Sequence, residues 1–264
     1  MRNKYLKTNE VYNMDVMDFL DRIPDSFIDL AIIDPPYNLK KGDWDNFKTT
    51  TEFLDFTYTY LEKCIKKIKK GGSLYIFNTA YNAAFIFNFL LELKMNYQNW
   101  IIWYKKDGFS ACKNKYVNNQ ETILYYTKSN ICTFNFDAIR QPYESTQRIQ
   151  HATEKGLIKN GKRWFPNEKG KLCGDVWQIT SQRHKEKIGG KIQKPLHPTI
   201  KPNDLVERII KASSNEKDLI LDLFSGSGTT SKVAKQMNRN FIGCENNEQY
   251  IKLISEGGID CERL

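Results

Sequence analysis

No two cysteines of this chain stand at the C-x-x-C spacing, and the six thiols (Cys64, Cys112, Cys132, Cys173, Cys244 and Cys261) are scattered. That pattern argues against a disulfide scaffold and a cysteine zinc site. The three histidines, His151, His184 and His197, share no metal-ligand spacing, so no metal is expected. No apolar stretch approaches the length of a membrane span, and Met1 to Lys7 runs into polar residues without the apolar core of a signal peptide. The expectation is a cytoplasmic protein that does not engage membranes.

What is present is enough for a substantial core. With 264 residues, 40% of them hydrophobic, the chain suits one large domain, or one domain carrying an insertion. Its formal net charge of +9 is unevenly placed. From Arg140 to Lys194, thirteen cations stand against five anions, an electrostatic footprint for a polyanion.

The chemistry centres on Asp34-Pro35-Pro36-Tyr37. It follows Asp29-Leu-Ala-Ile-Ile33, a short β-branched run that reads as a buried strand ending at a sheet's carboxyl edge, where open α/β folds bind ligands. The prolines carry no N–H, so the turn offers carbonyls without competing donors. An ionised Asp34 only accepts hydrogen bonds. A carboxylate and a main-chain carbonyl converging on one point would grip both hydrogens of a planar amino group, with Tyr37 offering a face to the base that bears it. An alternative use of such residues is a plain proline turn with Asp34 as a cap.

The rest of the chain reads as alternating elements. Asn9 to Ile23 gives a short strand, a turn at Asn13 to Asp15 and an amphipathic helix. Asn38 to Asn46 has no periodicity and reads as a mobile loop beside the turn. Leu54, Leu61, Ile65 and Ile68 predict a helix face, with Gly71-Gly72 as its stop and Leu74 to Phe77 as the next strand. Asn82 to Leu93 predicts a helix; Trp100 to Trp103 and Thr122 to Tyr126 predict strands. From Ser129 to Leu196 the core pattern fades, leaving short strands around Leu172 and Val176 to Ile179. Residues 1–129 and 197–264 therefore read as one catalytic domain and 130–196 as a basic subdomain. After Pro202 a helix returns, capped by Asn203.

A second functional signal is Leu219-Ile-Leu-Asp-Leu-Phe224-Ser-Gly226-Ser-Gly228-Thr-Thr230, a strand entering a glycine turn and a helix start. The next strand, Asn240 to Glu245, ends in an acid seventeen residues after Gly228, suited to two ribose hydroxyls. A dinucleotide site fits poorly, because Ser231 replaces the third glycine and no phosphate-loop lysine is present. A nucleoside without phosphates suits the turn better.

Phe224-x-Gly226-x-Gly228 together with Asp34-Pro-Pro-Tyr37 resembles the amino-group DNA methyltransferases. The order, catalytic motif, basic insertion and then cofactor motif, is similar to their β class. The nearer likeness is to MboII-like adenine methyltransferases of type IIS restriction–modification systems, carried by Arg163-Trp-Phe-Pro, Ser181-Gln-Arg-His-Lys and His197-Pro-Thr-Ile-Lys-Pro202.

The resemblance implies a circularly permuted Rossmann-like α/β fold that uses S-adenosylmethionine, with a target-recognition subdomain inserted. The strand near Val11 would lie beside the acidic strand, bringing Asp15 and Val16 to the cofactor adenine. Phe224 would pack on that adenine, Gly226 and Gly228 would admit it, and Thr229 and Thr230 would cap the helix. Glu245 would take the ribose, with Asn246 adjacent. Lys201 and His197 would reach the methionine carboxylate side, or else serve the structure of their proline-rich turn.

The family pattern places Asp or Asn before Pro-Pro-Tyr for adenine N6 and Ser for most cytosine-N4 enzymes. Asp34 thus implies an adenine of double-stranded DNA, flipped out of the helix and stacked on Tyr37. Lys40, Lys41, Arg163, Arg183, His184 and Lys185 would contact that DNA. A restriction endonuclease acting on the same site, and a homodimer, are further implications. Competing readings are a cytosine-N4, RNA or protein methyltransferase, a DNA-binding module without turnover, and a dinucleotide-dependent oxidoreductase. RNA and protein enzymes with related signatures usually carry the cofactor loop first.

Overall fold

A computed structural model of the protein describes residues 5–106, 113–181, 186–188, 191–193 and 200–255. The chain starts with β1 (Glu10–Asn13), α1 (Val16–Asp21), β2 (Ile28–Ile33), α2 (Thr50–Lys67), β3 (Ile68–Asn78) and α3 (Ala80–Glu92). Two long strands follow, β4 (Asn96–Tyr104) and β5 (Gln120–Thr127). The basic stretch holds α4 (Thr146–Lys155), β6 (Leu157–Lys159), β7 (Lys162–Trp164), β8 (Val176–Gln178), β9 (Glu186–Ile188) and β10 (Lys191–Gln193). The last part is α5 (Asn203–Ser213), β11 (Leu219–Asp222), α6 (Thr229–Gln236), β12 (Asn240–Glu245) and α7 (Glu248–Ser255).

Eight strands form one sheet in the order β1-β12-β11-β2-β3-β5-β4-β8. The first five are parallel, β5 runs antiparallel to β3 and β4, and β8 lies parallel to β4 at the edge. Parallel strands covered on both faces read as continuous apolar runs, which is how Ile28-Asp-Leu-Ala-Ile-Ile33 reads. Side chains alternate across it. Ala31 and Ile33 join the core beneath α1, α2 and α3, while Leu30 and Ile32 join the core beneath α5 and α6.

The central pair positions the site. β11 pairs with β2 in the register Ile220 to Leu30 and Leu221 to Ala31. From β11 the sheet continues through β12 to β1 on one side, and from β2 through β3 on the other, so a crevice opens between them at the carboxyl edge. β1 takes its place beside β12 with Asn13 opposite Glu245, the permuted arrangement that the sequence predicts.

Several local expectations are corrected. Gly71-Gly72 does not stop α2; that helix ends at Lys67, and Ile68 already belongs to β3. The glycines serve a register shift between β2 and β3, with Gly71 at φ +91°. A Cβ on Gly72 would lie 2.8 Å from the Asp29 carbonyl. The face α2 buries is Phe53, Thr57, Tyr60, Leu61, Cys64 and Ile65, with Leu54 only half-buried. Asn203 is the first residue of α5, not its cap; Pro202 holds the cap position without a side-chain bond.

The 130–196 stretch is stitched to the catalytic sheet at both ends. Asn135 donates its main-chain N–H to Ala212, and its Nδ2 donates to the Lys211 and Ser214 carbonyls at the end of α5. Trp177 of β8 is buried, and Trp103 Nε1 donates to the Ile179 carbonyl at 2.8 Å. Between these ties, β6 and β7 form an exposed hairpin; after them, β9 pairs antiparallel with β10. No described helix is long and apolar enough to cross a membrane.

Candidate active site

A cavity of about 350 Å³ opens at the carboxyl edge, over the ends of β1, β2, β11 and β12. Asp15, Val16, Asp34, Pro35, Pro36, Tyr37, Lys41, Lys201, Phe224, Gly226, Thr229, Thr230, Glu245 and Asn246 all line it. Lys40 and Arg163 are exposed elsewhere, Arg163 on the β7 hairpin. Arg183, His184, Lys185 and His197 lie outside the described residues. Among the described residues no cluster of His, Cys, Asp and Glu could hold a metal ion.

At the glycine end, the turn after β11 is built on main-chain bonds. Ser225 N–H donates to the Cys244 carbonyl, and Gly228 N–H donates to Ser225. Gly228 sits at φ +80°, and a Cβ there would be 2.8 Å from Ile254 Cγ1. Gly226 N–H donates to Glu245 Oε2 at 2.8 Å, and Asn247 N–H donates to Oε1 at 2.9 Å. These bonds fix the Glu245 carboxylate while leaving each oxygen a further lone pair. Asp15 caps α1, accepting from Met17 N–H at 2.7 Å. Thr229 and Thr230 are the first residues of α6 and do not cap it, because Gly228 occupies that position.

Phe224 packs edge-on against Tyr60 and Phe56 of α2, with ring centres 5.2 and 6.3 Å away. Beneath it lies Asp222, which accepts from Phe224 N–H at 3.2 Å. Burial pushes the Asp222 carboxyl up to about 7, against the Phe224 amide and Thr230, which favour its ionised form. Buried Ser225 Oγ has no hydrogen-bond partner among the described residues and lies over Gly243, where a Cβ would come within 2.5 Å of it. The lysines of the cavity stand at the other end: Lys201 pairs with Asp34, and Lys41 lies 6.0 Å from the Tyr37 ring centre. An aromatic wall, an oriented acid and a cation-free glycine turn suit a nucleoside without phosphates.

At the Asp34 end, the carboxylate is already engaged. Tyr37 OH donates to Asp34 Oδ1 at 2.7 Å, and Lys201 Nζ donates to Oδ2 at 2.6 Å. Lys201 thus lines the same cavity as the glycine turn and pairs with Asp34 in it. Burial lowers the Lys201 pKa, but Asp34 and Glu121 outweigh that and raise it. Glu121, from β5, pairs with Lys105 and lies 3.5 Å from Lys201. Burial opposes its charge, yet Lys201 and Lys105 together bring it down to about 2. Burial, then Asp34 and Glu121, raise the Tyr37 hydroxyl well above its ordinary value.

The loop after the prolines has its own organiser. Buried Asp45 accepts four main-chain N–H groups, from Tyr37 and Asn38 on Oδ1 and from Leu39 and Lys41 on Oδ2. Asn82 Nδ2 donates to the Tyr37 carbonyl at 2.8 Å. Asp45 and Glu121 have no motif around them, and Asp222, inside the glycine motif, was given no role, so sequence reading passed all three over. A glutamate inside an apolar strand was the one signal available for Glu121.

A model of the DNA methylase family for N6 and N4 amino methylation matches residues 28–256. The chain belongs to this DNA methylase family. Type II methyltransferase M1.MboII of Moraxella bovis is 56% identical over 246 residues, covering 93% of this chain and 95% of that protein. Among solved structures, the PvuII DNA methyltransferase, described as cytosine-N4-specific, superposes with a TM-score of 0.72 at 17% identity, over 98% of this chain and 89% of its own. An M1.HpyAVI complex with S-adenosylmethionine superposes at 0.60 with 24% identity, over 94% and 98%. This DNA methylase has the Rossmann-like methyltransferase fold and takes S-adenosyl-L-methionine as cofactor. Phe224, Gly226, Glu245 and Asp15 are the residues that would hold it.

Proposed function

We propose that this DNA methylase transfers a methyl group to N6 of an adenine in double-stranded DNA, as the modification enzyme of a type II restriction–modification system. The observation that supports this reading is the Asp34 carboxylate, which lines one cavity with Gly226 and Glu245 and stands before Pro-Pro-Tyr. The fold alone does not choose between adenine and cytosine, since a cytosine-N4-specific enzyme shares it.

S-adenosylmethionine, when bound, supplies an electrophilic methyl group on a sulfonium. Asp34 accepts a hydrogen of the target amine and stabilises the positive charge its nitrogen acquires as the N–C bond forms and the methyl–sulfur bond breaks; the nitrogen then gives up one proton, through Asp34 or directly to water. An ionised carboxylate offers about four lone-pair sites, so Tyr37 and Lys201 leave room for that bond. The target base is inaccessible inside a duplex and has to leave the stack at a cost of a few kcal/mol. Basic residues of the 130–196 subdomain, Arg163 among them, and Lys40 and Lys41 of the loop after the prolines would meet DNA phosphates and bases. The enzyme would act in the cytoplasm, beside an endonuclease of the same specificity, and as a homodimer.

Duplex DNA treated with enzyme and labelled S-adenosylmethionine, then digested to nucleosides and separated, tests the reading. Label in N6-methyladenine is expected. Label in N4-methylcytosine alone would replace adenine by cytosine, and label appearing only with RNA would remove DNA as the substrate.

A further inference from the structure

Both donors that hold Asp34 also reach Glu121. Lys201 Nζ is 2.6 Å from Asp34 Oδ2 and 3.5 Å from Glu121 Oε2. Tyr37 OH is 2.7 Å from Asp34 Oδ1 and 3.3 Å from the same Glu121 oxygen. The other Glu121 oxygen is taken by Lys105, which orients the carboxylate. Across the sheet Glu121 pairs with Trp103, so its main chain is fixed by the β4–β5 ladder.

Lys201 cannot retreat into water. It is buried, and the rings of Phe77, Tyr37 and Trp103 stand 5.3, 5.5 and 6.0 Å from its ammonium. Among the described residues, Asp34 and Glu121 are the two anions paired with it. An ammonium seated on Asp34 leaves lone pairs free for the target amine but offsets the negative charge that would face it. In methyl transfer a unit of positive charge passes to the amine nitrogen, so a cation on Asp34 opposes the step that Asp34 is there to assist.

We propose that Glu121 is a positioning residue, which takes the Lys201 ammonium over from Asp34 when the target amine enters. The inference rests on Asp34 being the amine's acceptor. The two seats differ by less than 1 Å in distance, so a side-chain torsion suffices and the main chain stays in place. Lys201 and Lys105 keep Glu121 ionised, so the second seat is always charged. Before substrate arrives, the same contacts keep Asp34 compensated in a site sheltered from solvent.

Glu121→Gln in the full chain, measured in single turnover on duplex DNA, is the test. The rate of methyl transfer is expected to fall by about 100-fold, with S-adenosylmethionine and DNA affinities unchanged, because a neutral amide leaves Lys201 on Asp34. Adding Lys201→Met removes the opposing cation, and the double variant is expected to regain about tenfold over Glu121→Gln. A merely structural role predicts a double variant slower than either single one. An unchanged rate in Glu121→Gln, or no recovery in the double variant, overturns the proposal. Should Glu121→Gln fail to fold, Glu121→Asp keeps the charge but shortens the reach. It is expected to slow turnover without raising KM, and an unaltered kcat would overturn the proposal as well. Activity surviving Asp34→Ala sinks the reading of Asp34 itself, whereas loss there with an unaffected Glu121→Gln sinks the handover alone.

Discussion

Asp45 holds Tyr37 by its main chain: the buried carboxylate accepts the Tyr37 N–H at 2.6 Å while three neighbouring amides converge on the same group. The loop from Asn38 to Asn46 is thus tied to an internal anion. Asn38 and Lys40 adopt φ of 56° and 58°, a path that these bonds support.

Asp45→Ala strands four amides and is expected to destabilise the chain by about 3 kcal/mol. Asp45→Asn keeps one accepting oxygen and should fall between. Denaturant unfolding measures the loss, and limited proteolysis between Asn38 and Phe47 should become faster than in the unaltered protein.

Asp34→Ala is expected to reduce methyl transfer by at least about 10³-fold while DNA affinity stays within a few-fold. Radiolabel incorporation and a mobility-shift titration, run well below the melting temperature, separate the two. Methylation persisting at a tenth of the original rate would contradict the role given to this carboxylate.

Asp222 provides a pH signature. Its folded pKa of about 7 lies above its ordinary 3.8, so the folded chain binds this proton more tightly than the unfolded one. The contribution to stability is full below about pH 4 and is lost as pH rises towards 7. Asp222→Asn keeps an acceptor for Phe224 and removes the ionisation. It should gain roughly 4 kcal/mol at pH 8 and nothing near pH 4. Thermal melting of both proteins at the two pH values gives the answer.

DNA affinity should depend strongly on salt. The chain carries 40 Lys and Arg against 31 Asp and Glu, and thirteen of the cations stand against only five of the anions between Arg140 and Lys194. Between about 50 and 200 mM salt a loss of ~10³-fold is expected if several phosphates are neutralised. A flat titration by fluorescence anisotropy would count against phosphate contacts.

The strands that carry the motifs were legible in the sequence because burial on both faces leaves a mostly apolar run with a sharp end. β2, β11 and β12 each have one, and the resemblance to permuted methyltransferases placed β1 beside β12. Gly71-Gly72 misled, because a glycine pair marks a helix stop and a strand bulge alike, and only the partner strand decides between them. Glu121 and Lys201 were illegible as a pair for a related reason. Eighty residues separate them, and a contact made by tertiary folding leaves no local spacing. Asp45 looked like one more polar loop residue, since four amides turning inward towards it is a property of the folded loop alone.

Leu30 and Ile220 are neighbours on the central ladder, although they stand 190 positions apart in the chain. Adjacent strands in a sheet are about 4.8 Å apart. The gap between the turn after β11 and the turn after β2 is thereby gauged by backbone pairing, a ruler that no side chain sets. Under the proposed function, that ruler and not the loops would fix the span the methyl group has to cross.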